Sequence, residues 1–343
     1  MRPRNVSGKL DKAPRLCYDS SEKRYGARRK KRPSAEGENM KLRFAQNAQG
    51  KAQPDPYIIK ADDGFYYLYV SGVENVGIYR SSSPEGEWEY RGAAFEEEGF
   101  CEYWAPCVVE ENGVYYMYYS SVPQGCDDMH EQAIKIATSD RPDGKFVYRK
   151  TMIEPFSIDA HVVKSGGEYY IFYSCNDYEA ERAGTYIAVD KMLDLFTAEG
   201  NPVPVVLPTL DEEIFLRDRF RVGQNWHTIE GAFYFRKGDD HYLMYSGNCY
   251  QSQYYFIGYA YAHGAENDLR RLQFRKMPDE CTYAPLLCRN REETGTGHNS
   301  VLEENGVYYI VYHGRDAGAD EKTETRTARI KRFTAEGGVL KLS

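Results

Sequence analysis

No run of apolar residues in this chain approaches the roughly 20 that a membrane-spanning helix needs, which sets aside a helical membrane protein. Helical periodicity is nearly as scarce, with residues 190–195 amounting to one turn or two, so an α-helical bundle is set aside as well. The eight cysteines, at positions 17, 101, 107, 126, 175, 249, 281 and 288, form no C-x-x-C pair, and no histidines stand at zinc-finger spacing. A structural zinc site is therefore not expected. Residues 1–30 have positive charge but no apolar core of a secretory signal, so the expected location is cytoplasmic, with reduced thiols. There is no Trp-Asp dipeptide and no S-x-D-x-G-x-T-W box, the marks of WD-repeat scaffolds and of sialidases.

What is abundant is tyrosine: 31 of the 343 residues, with 15 Phe. Such residues favour half-buried pleated surface, where the ring packs and the hydroxyl finds a partner. Charge is uneven. Residues 1–40 hold 12 Lys/Arg against 5 Asp/Glu and include Arg28-Arg29-Lys30-Lys31-Arg32, whereas the whole chain is −8, so residues 41–343 carry −15. A body that acidic repels a phosphate backbone, and nucleic acid is not an expected partner. The first 40 residues lack hydrophobic periodicity and read as a basic, disordered extension; the folded part is expected over 41–343.

Five segments share one pattern: 55–71 (DPYIIKADDGFYYLYVS), 105–121 (APCVVEENGVYYMYYSS), 159–175 (DAHVVKSGGEYYIFYSC), 230–247 (EGAFYFRKGDDHYLMYSG) and 298–314 (HNSVLEENGVYYIVYHG). Each has a short apolar run, a polar turn usually containing Gly, and an aromatic run, which is a β-hairpin signature. The starts lie 50, 54, 71 and 68 residues apart, leaving room for two more strands each time. The pattern predicts an all-β chain folded as a five-bladed β-propeller with four antiparallel strands per blade.

The first residues of the repeats form a column: Asp55, Ala105, Asp159, Glu230 and His298. If these strands are innermost, the column becomes a ring around one axis, and three carboxylates and an imidazole share a pocket. Such a set suits glycoside hydrolysis. One carboxylic acid protonates the leaving oxygen, a second carboxylate activates water on the other sugar face, and a third raises the acid's pKa. Tyr and Trp faces would supply platforms for sugar C–H groups.

The segments Gln53-Pro54-Asp55-Pro56, Tyr103-Trp104-Ala105-Pro106, Ser157-Ile158-Asp159-Ala160, Ile229-Glu230-Gly231 and Gly297-His298-Asn299-Ser300 resemble, in order, the motifs of glycoside hydrolase family 43. That family has five-bladed propellers acting with inversion on α-L-arabinofuranosides and β-D-xylosides. The resemblance implies Asp55 as general base, Glu230 as general acid and Asp159 as the residue that tunes and orients Glu230. It also implies Trp104 in the sugar-binding wall and His298 near the axis, where many members hold a calcium or sodium ion. Family members often have Pro where this chain has Ala160 and Ala232, so the subfamily is less well marked than the chemistry.

Arg315, after the last hairpin, is a further candidate for the sugar, with His313 beside it; His161 and His227 read as structural. The expected substrate is a small oligosaccharide cut from one end, with no cofactor needed for the chemistry and carboxyls about 6.5–9.5 Å apart as inversion requires. The alternatives are a phosphorylase, which would need a basic cluster for phosphate, and a non-catalytic carbohydrate-binding propeller. Loops 122–131, 176–184 and 204–225 are expected to set the choice of sugar. Oligomeric state is not legible.

Overall fold

The computed structural model describes residues 40–343. The basic extension therefore lies outside the described residues, apart from Met40. Among the described residues the regular structure is strand, broken only by short 3-10 turns, and no helix is long and apolar enough to cross a membrane.

The chain runs through successive antiparallel meanders. The first is built from Tyr57–Lys60, Tyr66–Val70, Val76–Ser81 and Glu87–Phe95. The second comprises Phe100–Glu111, Val114–Pro123, Ala133–Ser139 and Val147–Ile153. The third has Ile158–Ser165, Glu168–Asp177 and Gly184–Asp194, edged by Val203–Val206. The fourth has Trp226–Lys237, Asp240–Gly247 and Phe256–His263, edged by Arg275–Lys276. In the fifth, Glu293–Glu304, Val307–Asp316 and Thr327–Glu336 are edged from both ends of the described chain: Val339–Leu342 pairs with the end of the third strand and Met40–Lys41 with its middle.

The third and fourth meanders merge into one sheet where Gly184 and Thr185 pair with His227 and Thr228. Only glycine fits at 184, since a Cβ there would stand 2.1 Å from the His227 carbonyl oxygen.

Three of the hairpins turn on two residues with positive φ, Asn112-Gly113, Gly166-Gly167 and Asn305-Gly306, the geometry that matches strand twist. These loops are only two residues long, because the strands run on into the turn. Tyrosine fills the space between sheets and spends its hydroxyl locally. Tyr69 donates to the Pro142 carbonyl at 2.6 Å and Tyr118 to that of Leu195 at 2.8 Å, so these two large rings are buried without stranding a polar atom.

The feature that builds the site is a bulge at the same place in each of the four long first strands. Trp104 pairs with Ser120, Ile158 with Ser174, Glu230 with Ser246 and Gly297 with His313, and one extra residue is then taken up before pairing resumes at Cys107, His161, Phe233 and Ser300. Inside each bulge one residue is left-handed: Ala105 (φ 47°), Asp159 (58°), Gly231 (65°) and His298 (45°); Asp55 (50°) holds the matching place before Tyr57–Lys60. A non-glycine residue held there costs on the order of 1–3 kcal/mol, a strain typical of functional positions. Two residues further on, Tyr57, His161 and Phe233 pack ring against ring, with centroids 4.1–6.2 Å apart, beneath the five left-handed residues.

Candidate active site

Residues 55, 105, 159, 231 and 298 share one register, and the second strands answer them with Ser71, Ser120, Ser174, Ser246 and His313. Left-handed residues cannot use their N–H groups in the ladder, and three of these polar side chains collect them. Ala105 N–H donates to Ser71 Oγ (2.8 Å), His298 N–H to Ser246 Oγ (2.7 Å) and Asp55 N–H to His313 Nδ1 (3.1 Å). Gly231 N–H donates instead to Asp159 Oδ2 at 3.0 Å, the same oxygen that receives Ser174 Oγ at 3.2 Å. The expected column is thus off by one residue in the fourth meander. Gly231 holds the ring position, and Glu230 stands one register before it, level with Trp104.

Asp55 receives the Ser71 hydroxyl on Oδ2 at 2.6 Å. Its Oδ1 faces His313 Nδ1 (3.2 Å), Arg326 Nη1 (3.4 Å) and His298 Nδ1 (3.6 Å). Burial pushes this carboxyl up, but the charges around it prevail, His298 and Arg326 foremost, and hold it well below the usual carboxylate range. Burial also keeps the His313 imidazole down at about 4, so at neutral pH its Nδ1 accepts the Asp55 N–H. The Arg326 guanidinium beside Asp55 carries a charge that does not titrate away. Glu324 grips that guanidinium through Nε and Nη2 at 3.0 and 2.6 Å, and the Tyr250 ring lies 4.9 Å beneath it.

Glu230 is placed differently. Its Oε1 accepts the Tyr255 hydroxyl at 2.7 Å, and Tyr255 stacks on His313 with ring centroids 5.7 Å apart. Gly297 makes room, since a Cβ there would fall 1.8 Å from the Tyr255 ring. Burial, then the negative charge of Asp159, raise the Glu230 carboxyl to about 8. Burial raises Asp159 too, with Asp55 adding to the effect and His298 opposing it. Two of the three carboxyl groups are thereby split at neutral pH: Asp55 ionised, Glu230 holding its proton. Such a split is how one pocket supplies a base and an acid together.

The other sequence candidates fall into place around this core. Trp104 is half-buried and its indole N–H donates to Glu102 at 3.0 Å. Arg315 is buried, donates to the Tyr250 carbonyl at 3.0 Å and forms no ion pair with any of the three carboxylates; Arg326, which the sequence reading did not select, meets Asp55 instead. Arg326 sits in a loop without a repeat, so nothing in the sequence marks it. Ser71, Ser174, Ser246 and His313 did leave a signal, because each ends the aromatic run of its hairpin.

His161 donates from Nε2 to the Tyr234 carbonyl (3.1 Å) within the ring cluster, and His227 packs against Ala183, both structural places. Among the described residues no three His, Cys, Asp or Glu side chains converge to hold a metal ion. The oxygen of Asp55 nearest His298 already faces a guanidinium, so this donor set does not fit a protein-held calcium.

The model for glycosyl hydrolases family 43 matches residues 49–339. The chain belongs to that family. Probable arabinan endo-1,5-alpha-L-arabinosidase A of Aspergillus flavus is 26% identical over 270 residues, spanning 74% of this chain and 69% of that protein. The protein of the same name from Aspergillus fumigatus is 27% identical over 269 residues, with the same shares. A thermostable family-43 glycoside hydrolase of known structure superposes with a TM-score of 0.72 at 28% identity, over 88% of this chain and 96% of that one. The α-L-arabinofuranosidase from Lactobacillus brevis shares the fold, with a TM-score of 0.66 at 19% identity over 83% and 91% of the two chains. The bulged ring that gathers Asp55 and Asp159, with Glu230 beside it, thus lies within the matched span of a family-43 glycoside hydrolase.

Proposed function

We propose that this family-43 enzyme hydrolyses α-L-arabinofuranosyl or β-D-xylosyl bonds of plant-derived pentose oligosaccharides with inversion, releasing residues from one chain end. The carrying observation is the split between Asp55, kept ionised beside Arg326, and Glu230, kept protonated by burial and Asp159. In this reading Asp55 takes a proton from water as its oxygen attacks the anomeric carbon. Glu230 delivers its proton to the departing glycosidic oxygen, and solvent restores both groups. Asp159 touches no proton in transit; it holds the backbone of Gly231 and keeps Glu230 protonated. The names of the fungal relatives and of the L. brevis structure support pentose substrates, and the five meanders with their matching bulges support a five-bladed propeller.

The test is hydrolysis of the two aryl glycosides, the α-L-arabinofuranoside and the β-D-xyloside, by wild type and Asp55→Ala. Wild type should cleave at least one, and the variant should fall by ~10²-fold or more on it. NMR of the first-formed anomer should show inversion. On longer chains, monomer release alone supports the exo mode, whereas a ladder of oligosaccharides would make it endo. Sugar release that requires phosphate would move the reading to phosphorolysis.

A further inference from the structure

Away from the three carboxylates, on the rim formed by the loops of the second, third and fourth meanders, Tyr178 and Phe220 stand side by side and are 48% and 46% exposed. Single exposed aromatics are ordinary, but these two are held in fixed places. Both rest on the buried Trp226, with ring centroids at 5.0 and 5.9 Å, and lie 6.4 Å from each other. Arg219 caps the group, its guanidinium 4.5 Å from the Trp226 ring and 5.3 Å from that of Phe220. Arg219 in turn donates to His130 Nε2 at 2.8 Å, and His130 Nδ1 meets Asp128 at 2.6 Å. The loop before the fourth meander is thereby tied across to a loop of the second.

This platform is linked to the catalytic ring through the strands and hydrogen bonds that carry both. Trp226 opens the strand that carries Glu230, four residues on, a distance of about 13 Å at strand rise. Tyr178 follows the strand whose Ser174 bonds Asp159. On the other side Gln132, two residues after His130, donates to the Glu102 carbonyl at 3.0 Å, and Glu102 holds the Trp104 indole. Flat apolar faces fixed beside a planar, hydrogen-bonding cation suit a ring with one C–H face and a rim of hydroxyls.

Resting on the function proposed above, we infer that Tyr178 and Phe220, backed by the buried Trp226 and flanked by Arg219, form a distal subsite that binds pentosyl residues of the same substrate chain whose scissile bond lies between Asp55 and Glu230.

Phe220→Ala and Tyr178→Ala test it, with the aryl glycoside and the linear pentose hexaoses, arabino- and xylo-, as substrates. For the hexaose that wild type prefers, the ratio of its kcat/KM to that of the aryl glycoside should fall about 3- to 10-fold in each variant, mainly through KM. Equal effects on both substrates, or none, overturn the inference while leaving the proposed function standing. If wild type cleaves neither aryl glycoside, that function fails on its own, and fluorescence decides the subsite. Quenching of wild type by a hexaose that is lost in Phe220→Ala supports it, and no quenching overturns it. A dimer in solution that Phe220→Ala dissolves, with hexaose kinetics unmoved, also overturns it, by making the patch a protein interface.

Discussion

Replacing Glu230 by Gln separates what burial does to stability from what the proton does in catalysis. The carboxyl sits at about 8 in the folded protein against an ordinary value of 4.5. Between those two pH values the folded state keeps a proton that the unfolded chain has released, so unfolding free energy falls as pH rises. The contribution is complete below the unfolded value and gone above the folded one. At about 1.4 kcal/mol per pH unit, the decline across that window is on the order of 4–5 kcal/mol. Glutamine mimics the protonated group and does not titrate. Urea unfolding should therefore find the two proteins about equally stable at pH 4.5, with the variant ahead by several kcal/mol near pH 8.5. Asp159 titrates in both, so the difference between the proteins is the readout. Activity should move the other way, falling ~10²–10⁴-fold on oligosaccharides, whose leaving oxygen needs the proton, and much less on aryl glycosides. Stabilities that run parallel with pH would refute the assignment of a buried, protonated Glu230.

Two further outcomes follow from the groups that face the carboxyls. Tyr255→Phe keeps the stack on His313 but removes the hydroxyl that favours ionised Glu230, so the alkaline limb of kcat/KM should move upward from about pH 8 by roughly 1 unit; an unmoved or lowered limb contradicts the hydrogen bond's role. Arg326→Gln takes away the lasting cation beside Asp55, and the acid limb should rise by about 1–3 units, whereas an unchanged limb would assign the charge to the histidines instead.

How far the sequence carried varies element by element. The hairpins were legible because Asn-Gly and Gly-Gly turns between an apolar run and an aromatic one leave few other geometries. Asp55, Asp159 and His298 were legible because a left-handed residue recurs at a fixed distance from each turn. The fourth segment spans 18 residues from Glu230, against 17 for the other four, and counting from Gly231 restores 17. That one-residue excess was the visible sign of the register shift. Arg326, Glu324, Tyr250 and Tyr255 were not legible, since they come from non-repeating loops whose paths depend on tertiary packing. Arg315 had a suitable charge and a suitable place after the hairpin, but its strand turns it toward Tyr250.

The offset at Glu230 has a chemical consequence that a single substitution can expose. A Cβ at position 231 would stand 3.2 Å from His298 Nδ1. A glutamate on the ring at 231 would thus lie among the charges that hold Asp55 ionised, and would lose its proton as Asp55 does. One residue earlier, the side chain reaches Tyr255 instead, and burial with Asp159 decides its charge. Gly231 therefore separates acid from base, and the lack of a side chain there leaves the space that His298 borders. Gly231→Ala should cost about 1–2 kcal/mol in unfolding free energy from the left-handed backbone. The methyl group also displaces His298, and with it the charge around Asp55, so kcat/KM should fall further than a mutation equally destabilising elsewhere, while the folded protein persists. A variant that loses stability as expected but keeps full activity would show that the spacing between Glu230 and His298 does not matter to the chemistry.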